Sequence, residues 1–192
     1  MITITDIANA LDALVLVFKQ NVFFAIVMVG GLWAINGFNW FIFRGRLNVF
    51  GIYPRHPLGL IGIVCSPFLH GSFNHLFYNS IPLFLLWCLM LSLGWSVFYC
   101  VTISIVLISG GLIWLFGRSG LHVGASAVAM GYWGYLLVSA VYHPSVIALL
   151  LAGLTLYYLG SLFLNVFPTD DGVSWEGHVM GLVAGIVTVY LC

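Results

Sequence analysis

The stretch HGSFNHLFYNSIPLFLLWCLMLSL, residues 70–93, decides the fold class of this sequence. Its first ten residues carry two histidines and two asparagines, and the remainder is almost entirely apolar. A helix that crosses a bilayer needs roughly 20 predominantly apolar residues. The stretch therefore predicts a membrane span that begins with polar side chains.

The whole chain has the same apolar character. Of its 192 residues, 62% are hydrophobic and only 5% are Asp, Glu, Lys or Arg, whereas about a quarter of the residues in soluble proteins are charged. This composition excludes an ordinary soluble domain and makes the lipid bilayer the expected surroundings. Five basic residues balance five acidic ones and form no block, which disfavours nucleic acid as a partner.

Apolar segments recur along the chain and predict an all-α membrane protein, a single bundle of six spans. Residues 1–20 place apolar side chains on one helical stripe and are expected to form an N-terminal amphipathic helix at the membrane interface. Residues 21–192 form the membrane domain, with a polar connection at 44–62 and a loop at 168–172. The six spans cover about residues 21–43, 70–93, 95–116, 123–142, 145–167 and 175–192.

The four cysteines are scattered through the chain, and no Cys-x-x-Cys pair occurs. They are Cys65, Cys88, Cys100 and Cys192. Three of them lie in or beside apolar runs. This distribution predicts free thiols rather than a disulfide framework or a zinc site.

Polar residues within the spans are informative, because each is costly at bilayer depth unless it faces protein or water. They occur in three groups, at the beginnings of the second, fourth and sixth spans. The second span carries His75 and Asn79, the fourth Ser126 and the sixth His178. His75 and Asn79 are four residues apart and therefore lie on the same face of a helix.

The topology of six spans brings these groups to one side of the membrane. Consecutive spans alternate in direction, so the second, fourth and sixth spans all begin at the same face. Each group lies about one turn or less inside its helix, at a depth that water can reach from that face. Small residues surround Ser126 and follow His178, at Gly181, Ala184 and Gly185, and favour close approach of the fourth and sixth helices.

A serine beside a histidine is typical of nucleophilic catalysis, since the imidazole can take the proton of the hydroxyl. Ser126 and His178 are the candidate pair. His75, Asn79 and the backbone N–H of Ser126 are candidate donors to the oxyanion of a tetrahedral intermediate.

Carboxylates do not extend this pair to a triad in the predicted arrangement. Away from their ends, the predicted spans contain no Asp or Glu. Asp170, Asp171 and Glu176 lie in a loop or at a helix start and are interpreted as solvated or helix-capping residues. We therefore predict a Ser-His dyad.

Other interpretations of the same polar residues remain open. Taken singly, Ser126 could be a helix-packing residue. The histidines and Asn79 could have the purely structural role of hydrogen-bonding between helices. A metal site is a further alternative, built from His70, His75, His122 and His178, but no carboxylate or thiolate joins them. A transport path is disfavoured because the polar groups cluster near one face. Their coincidence on that face favours catalysis without a cofactor.

The spacing of these residues resembles that of the rhomboid intramembrane serine proteases. The matching motifs, on the second, fourth and sixth spans in the family's order, are His70-x-x-x-x-His75-x-x-x-Asn79, Gly124-x-Ser126 and His178-x-x-Gly181-x-x-x-Gly185. The resemblance covers about residues 43–192 and extends to small bacterial members. It implies a six-helix bundle in which Ser126 is the nucleophile, His178 the general base, and His75 and Asn79 bind the oxyanion.

The resemblance also implies a function. Family members are serine endopeptidases that hydrolyse peptide bonds in or near transmembrane segments of other membrane proteins, which are the expected partners. The alternative is a non-proteolytic rhomboid-like protein that binds transmembrane helices.

The sequence departs from the family pattern at three points. Ala127 stands where the family usually has glycine, Met130 stands where an aromatic residue often packs against the histidine, and no Trp-Arg pair precedes His70. The nucleophile, the base and both oxyanion candidates are present, so activity is still expected.

The orientation in the membrane receives two opposite indications. The face of the candidate site carries Arg44, Arg46, Arg55 and Arg118, and the opposite face carries only Lys19. The excess of positive charge predicts a cytoplasmic site. The resemblance implies a bacterial inner-membrane protein with its site facing outward, and this is the orientation we expect.

Overall fold

The computed structural model describes residues 3–167 and 175–192. These residues form helices and contain no β-strand, as predicted for an all-α chain. The helices are α1 (Ile4–Phe41), α2 (Gly59–Cys65), α3 (Phe73–Leu91), α4 (Trp95–Phe116), α5 (Ser126–Tyr142), α6 (Val146–Leu159) and α7 (Trp175–Thr188). Short 3₁₀ segments cover Arg46–Phe50, Ser66–Phe68 and Gly160–Val166.

Four helical stretches in the described part of the chain are long and apolar enough to cross a bilayer. They are Ile4–Phe41, Phe73–Leu91, Trp95–Phe116 and Val146–Leu164. Large apolar side chains on their outer faces are exposed, including Phe23, Leu107 and Leu156, as expected where lipid rather than water surrounds the protein. The chain is thus an integral membrane protein.

The number of spans stays a prediction, because α5 and α7 are short. With 17 and 14 residues, they are about 26 and 21 Å long, against a hydrocarbon core of roughly 30 Å. Both helices begin at the site described below.

The amino-terminal region forms one uninterrupted helix where the sequence predicts two segments. The 38 residues of α1 extend for about 57 Å, well beyond the thickness of the hydrocarbon core. One stripe of α1 is buried along its length, at Ala10, Leu14, Asn21, Ala25, Leu32, Asn36 and Asn39. An interfacial position of residues 1–20 stays a prediction.

The first long connection contains a helix that the sequence analysis does not predict. The apolar α2 packs on α4, where a β-carbon on Gly110 would lie 2.7 Å from Ile63. The same connection folds back on itself, since a β-carbon on Gly62 would overlap the backbone of Gly51. The connection is thus packed protein rather than a free loop.

The central helix of the bundle is α5, in which every residue from 127 to 136 is buried. It packs closely against α7, because β-carbons on Gly181 and Gly185 would overlap the carbonyls of Ala127 and Gly131. These glycines are four residues apart and form the small-residue contact that the sequence predicts between these helices.

The prediction that all cysteines are free thiols is wrong for two of them. Cys100 on α4 and Cys192 at the end of the chain form a disulfide, with their α-carbons 6.0 Å apart. The pairing joins residues 92 positions apart, and local spacing gives no signal for such a contact. Cys65 and Cys88 are free.

Candidate active site

Helix α3 begins with a capped turn that carries two of the candidate residues. The Ser72 hydroxyl accepts a hydrogen bond from the His75 N–H at 3.2 Å, which satisfies one of the unpaired amides at the helix start. His75 is half-buried, and Asn79, one turn further, is buried. The two side chains lie on the same face, as their spacing predicts.

The loop before α3 is held by α1. The Asn36 Oδ1 accepts the His70 N–H at 2.7 Å, and its Nδ2 donates to the carbonyl of Phe68 at 2.9 Å. The Trp40 indole donates to the His70 carbonyl at 3.2 Å. The His70 ring then meets the His75 ring edge to face, with centroids 5.0 Å apart. Helix α1 therefore holds His70 in place, and the ring of His70 in turn packs against His75.

His70 is a neutral structural residue. Burial, and secondarily the nearby His75, lowers the pKa of His70 to about 3. Its Nδ1 lies 3.3 Å from the Asn36 Nδ2, which is a donor, so we assign the ring proton to Nε2. Within the described part of the chain the buried Nε2 has no hydrogen-bond partner.

The segment that leads into α5 is extended and forms backbone hydrogen bonds to two other parts of the chain. His122 and Ile52 exchange two backbone hydrogen bonds, of 2.8 and 2.9 Å, and the Gly124 N–H donates to the Ser66 carbonyl at 2.9 Å. Gly124 has a φ of +118°, and a β-carbon there would lie 2.6 Å from His75 Cε1. This position therefore requires glycine.

Ser126 is the first residue of α5 and is partly exposed. The preceding Ala125 supplies no side-chain cap. The positive end of the helix dipole and the first amides of α5 therefore face the site at the position of the serine.

His178 is in the first turn of α7 and is buried, with 5% of its surface exposed. Three residues later Gly181 meets the carbonyl of Ala127, the neighbour of Ser126. This contact fixes α7 against the beginning of α5, so the serine and the histidine lie at corresponding depths of two adjoining helices.

One cavity of about 660 Å³ is lined by all four predicted site residues. Ser126, His178, His75 and Asn79 reach it from the beginnings of α5, α7 and α3, as the alternating topology predicts. Further polar side chains line the same cavity, namely Ser66, Ser72, Asn74, Tyr78, Ser109 and His122.

The amide of Asn79 is placed to donate into this cavity. Its Nδ2 is buried and has no hydrogen-bond partner among the described residues. Leaving a buried donor unpaired costs about 1–3 kcal/mol. Asn79 and Ser126 line the same cavity, so this amide has the chemistry of an oxyanion-binding donor.

Two of the three departures from the family pattern, Ala127 and Met130, are buried. Ala127 is buried in a small apolar cluster with Ile52 and Ile113, against which Trp114 and Met180 pack. Met130 belongs to the main core and is almost fully buried. Both also line the cavity.

The surroundings of Glu176 differ from those expected of a solvated or helix-capping residue. Glu176 is 7% exposed and forms an ion pair with Arg118, whose Nη2 donates to Glu176 Oε2 at 3.1 Å. Sequence analysis misses this pair because 58 residues separate the partners. The one available signal is an acidic residue close to a histidine in an almost uncharged chain. Asp170 and Asp171 lie outside the described residues.

Residues 3–167 and 175–192 contain no group of three or more His, Cys, Asp or Glu side chains arranged to hold a metal ion. His122 Nε2 instead lies 2.9 Å from the carbonyl oxygen of Arg118.

The fold and the cavity define a class: a helical integral membrane protein whose serine, histidines and asparagine meet where three helices begin. The family model described as "Rhomboid domain" matches residues 57–192. The chain belongs to the rhomboid family, and all four candidate site residues lie in the matched region.

Relatives extend this assignment. An uncharacterized protein of Mycobacterium tuberculosis is 38% identical over 156 residues, which cover 76% of this chain and 65% of the relative. One of Mycobacterium leprae is 33% identical over 141 residues, or 69% of this chain and 56% of the relative. A protein of Acanthamoeba polyphaga mimivirus, whose name places it provisionally among rhomboid proteins, is 29% identical over 155 residues, or 78% and 83%. The chain thus matches less than two thirds of the length of the mycobacterial relatives.

Proposed function

We propose that this protein is an intramembrane serine protease that hydrolyses peptide bonds in or near transmembrane segments of other membrane proteins. The observation that carries the proposal is the convergence of Ser126, His178, His75 and Asn79 on one cavity, in a chain of the rhomboid family. Ser126 is the nucleophile and His178 the general base.

The reaction proceeds by acyl transfer. The Ser126 Oγ attacks the carbonyl carbon of the scissile peptide while His178 takes its proton. The tetrahedral intermediate collapses when His178 returns that proton to the leaving nitrogen. Water then enters through the cavity and hydrolyses the acyl enzyme by the same two steps, with His178 again acting as base.

The negative oxygen of the intermediate is stabilised by fixed donors. Asn79 offers a buried amide with no partner among the described residues, His75 lies one turn earlier on the same face, and the first amides of α5 add the backbone and the helix dipole. Because Gly124 has no side chain, it leaves His75 and Asn79 open to the cavity.

The position of the cavity accounts for the substrate class. Helices α5 and α7 are shorter than the hydrocarbon core is thick, so their beginnings can lie below the membrane surface while water still reaches the site. A transmembrane substrate must release its helical hydrogen bonds before its peptide carbonyl can be attacked. Segments with helix-weakening residues close to the membrane surface are therefore the expected substrates.

The orientation proposed is an outward-facing site in a bacterial inner membrane. Two of the four arginines on the site face are bound by the protein itself. Arg55 donates to the carbonyls of Leu115 and Gly117, and Arg118 pairs with Glu176. Hydrogen bonds to neutral carbonyls leave the charge of Arg55 in place, so the distribution of arginines still favours a cytoplasmic site, and the outward orientation rests on the family resemblance.

The test is labelling by a fluorophosphonate probe, which reacts readily only with an activated serine. Purified protein in detergent and in lipid nanodiscs is treated with probes of several sizes, and the modified residue is located by mass spectrometry. Wild type is expected to be labelled at Ser126, and Ser126→Ala and His178→Ala are expected to lose this labelling while remaining folded. No labelling of folded wild type under any of these conditions would favour a helix-binding protein without protease activity.

A further inference from the structure

An ion pair joins the segment before Ser126 to the helix that carries His178. The Arg118 Nη2 donates to Glu176 Oε2 at 3.1 Å, and the Arg118 Nε contacts Glu176 Oε1. Two contacts from one guanidinium to one carboxylate fix the relative orientation of the partners as well as their distance.

The burial of the two partners is unequal. The side chain of Glu176 is 9% exposed, whereas that of Arg118 is 66% exposed. A carboxylate that needed only solvation would lie at the surface, and a buried carboxylate depends on a charged partner. The buried partner, Glu176, thus belongs to α7, and the exposed side chain of Arg118 extends to it from the α4–α5 connection.

The α4–α5 connection is already fastened to the first long loop. The Arg55 Nη1 donates to the Gly117 carbonyl at 2.9 Å, and His122 is bonded to Ile52 through its backbone. The contact between Arg118 and Glu176 adds a link from the same connection to α7. Ser126 lies eight residues after Arg118, and His178 two residues after Glu176.

We propose that Glu176 is a positioning residue, whose ion pair with Arg118 fixes the first turn of α7 and so holds the His178 imidazole in the orientation that takes the proton of Ser126. The inference rests on the proposed function. Residues two apart on a helix point to different sides, so Glu176 acts through the helix start rather than as a third catalytic group.

The experiment measures how fast a fluorophosphonate labels Ser126 in nanodiscs as the probe concentration is varied. Glu176→Gln removes the charge at nearly constant shape, Arg118→Gln removes the partner, and Arg118→Lys keeps the charge. Arg46→Gln is the matched control, since it removes an arginine with no ion pair or side-chain hydrogen bond in the described structure.

The maximal labelling rate of Glu176→Gln and Arg118→Gln is expected to fall between about tenfold and a hundredfold, because displacements on the order of 1 Å have effects of this size. The probe concentration at half-maximal rate is expected to stay unchanged. The double variant is expected to be no slower than the slower single variant, Arg118→Lys to recover part of the rate, and Arg46→Gln to match wild type.

The alternative outcomes separate this inference from the proposed function. If wild type is labelled and needs His178, but folded Glu176→Gln and Arg118→Gln react at the wild-type rate and only melt at lower temperature, the positioning role is overturned and the pair is purely structural. If wild type is not labelled, the proposed function is overturned, and this inference with it. Should Glu176→Gln fail to fold, the comparison of Arg118→Gln with Arg118→Lys decides, since that side chain is mostly exposed.

Discussion

Gly124 and His75 are in direct contact: a β-carbon on Gly124 would lie 2.6 Å from the Cε1 and 2.7 Å from the Nε2 of the imidazole. The glycine also has a φ of +118°, a conformation that side chains disfavour. The segment that precedes Ser126 thus packs against the beginning of α3 so closely that no side chain fits between Gly124 and His75.

Replacing this glycine tests the match. Gly124→Ala is expected to displace His75 and to strain the backbone by on the order of 1–3 kcal/mol. Labelling of Ser126 by a fluorophosphonate should become slow or undetectable. Gly111→Ala on α4 is the control, because nothing lies within 4 Å of a β-carbon there. Wild-type labelling by Gly124→Ala would show that His75 is not held by this contact.

The amide of Asn79 provides the second prediction. Asn79→Ala removes a buried donor that has no partner among the described residues. Loss of one oxyanion donor typically costs about 2.7–4 kcal/mol, or about 10²–10³ in kcat. Hydrolysis of a model transmembrane peptide should slow by that factor while KM changes little. Asn74→Ala is the comparison, since Asn74 lines the same cavity but is exposed; equal effects of the two substitutions would argue against a specific role for Asn79.

Much of this candidate site can be predicted from the sequence, because the residues that indicate it lie close together within each span. Polar residues within the first two turns of a helix are expensive in a membrane, and the predicted alternation of the spans places the starts of α3, α5 and α7 on one side. His75, Asn79, Ser126 and His178 are therefore expected on one side of the membrane from the sequence alone. The glycines after His178 similarly predict the close approach of α7 to α5.

The features that sequence analysis misses are of another kind. The pairs Arg118–Glu176 and Cys100–Cys192 join residues 58 and 92 positions apart, and periodicity carries no information on such contacts. Helix α2 has only seven residues, too few for a helical pattern of apolar residues to be recognised. These residues are helical because they pack on α4. The continuity of α1 likewise reflects burial along its whole stripe.

The third prediction concerns the contact between α5 and α7. Gly181→Ala and Gly185→Ala place methyl groups against the carbonyls of Ala127 and Gly131, so the helices must separate, at a cost of about 1–3 kcal/mol. Both variants should melt at lower temperature in detergent. Gly181→Ala should also slow labelling of Ser126 more than Gly185→Ala, because it lies one turn nearer to the site.

Glycines that face open space provide the control for this pair. Gly30→Ala and Gly31→Ala on α1 meet nothing within 4 Å and should leave the melting temperature unchanged or slightly raised, because alanine is the better helix former. A similar loss of stability at all four positions would mean that the effect does not come from the contact between α5 and α7.

The fourth prediction follows from the neutral state of His70. Burial lowers the pKa of His70 to about 3, whereas an unfolded histidine titrates near 6.5. Above about pH 6.5 both states are neutral, and the residue makes no pH-dependent contribution. As the pH falls towards 3, the unfolded state binds a proton that the folded state excludes, so stability is lost across this window.

The measurement is the stability of wild type and His70→Gln between pH 8 and pH 4. The variant should be less stable at pH 8, since the contact with Asn36 is altered, but its stability should fall less steeply below pH 6. The difference between the two slopes approaches about 1.4 kcal/mol per pH unit for one proton. Parallel curves would mean that His70 is not the group excluded from protonation.

The last prediction links the disulfide to the orientation of the protein. Cys100 lies near the beginning of α4 and Cys192 just beyond the end of α7, at the end of the bundle opposite the cavity. With the cavity facing outward, that end faces the cytoplasm, where thiols are kept reduced. We therefore expect Cys100 and Cys192 to be thiols in growing cells and to pair after lysis in air. Alkylation of acid-quenched cells followed by peptide mass spectrometry measures this, with Cys65 and Cys88 as internal thiol controls.

A complete disulfide in quenched cells would place the opposite end in an oxidising compartment and the cavity on the cytoplasmic side, as the distribution of arginines predicts. An independent readout separates the two orientations in a background without native cysteines. Ser119 lies on the cavity side and His143 in the α5–α6 connection on the other side, and both are exposed. An outward cavity requires that an impermeant maleimide label Ser119→Cys but not His143→Cys in intact cells, and the reverse pattern would invert the proposed orientation while leaving the chemistry of the cavity unchanged.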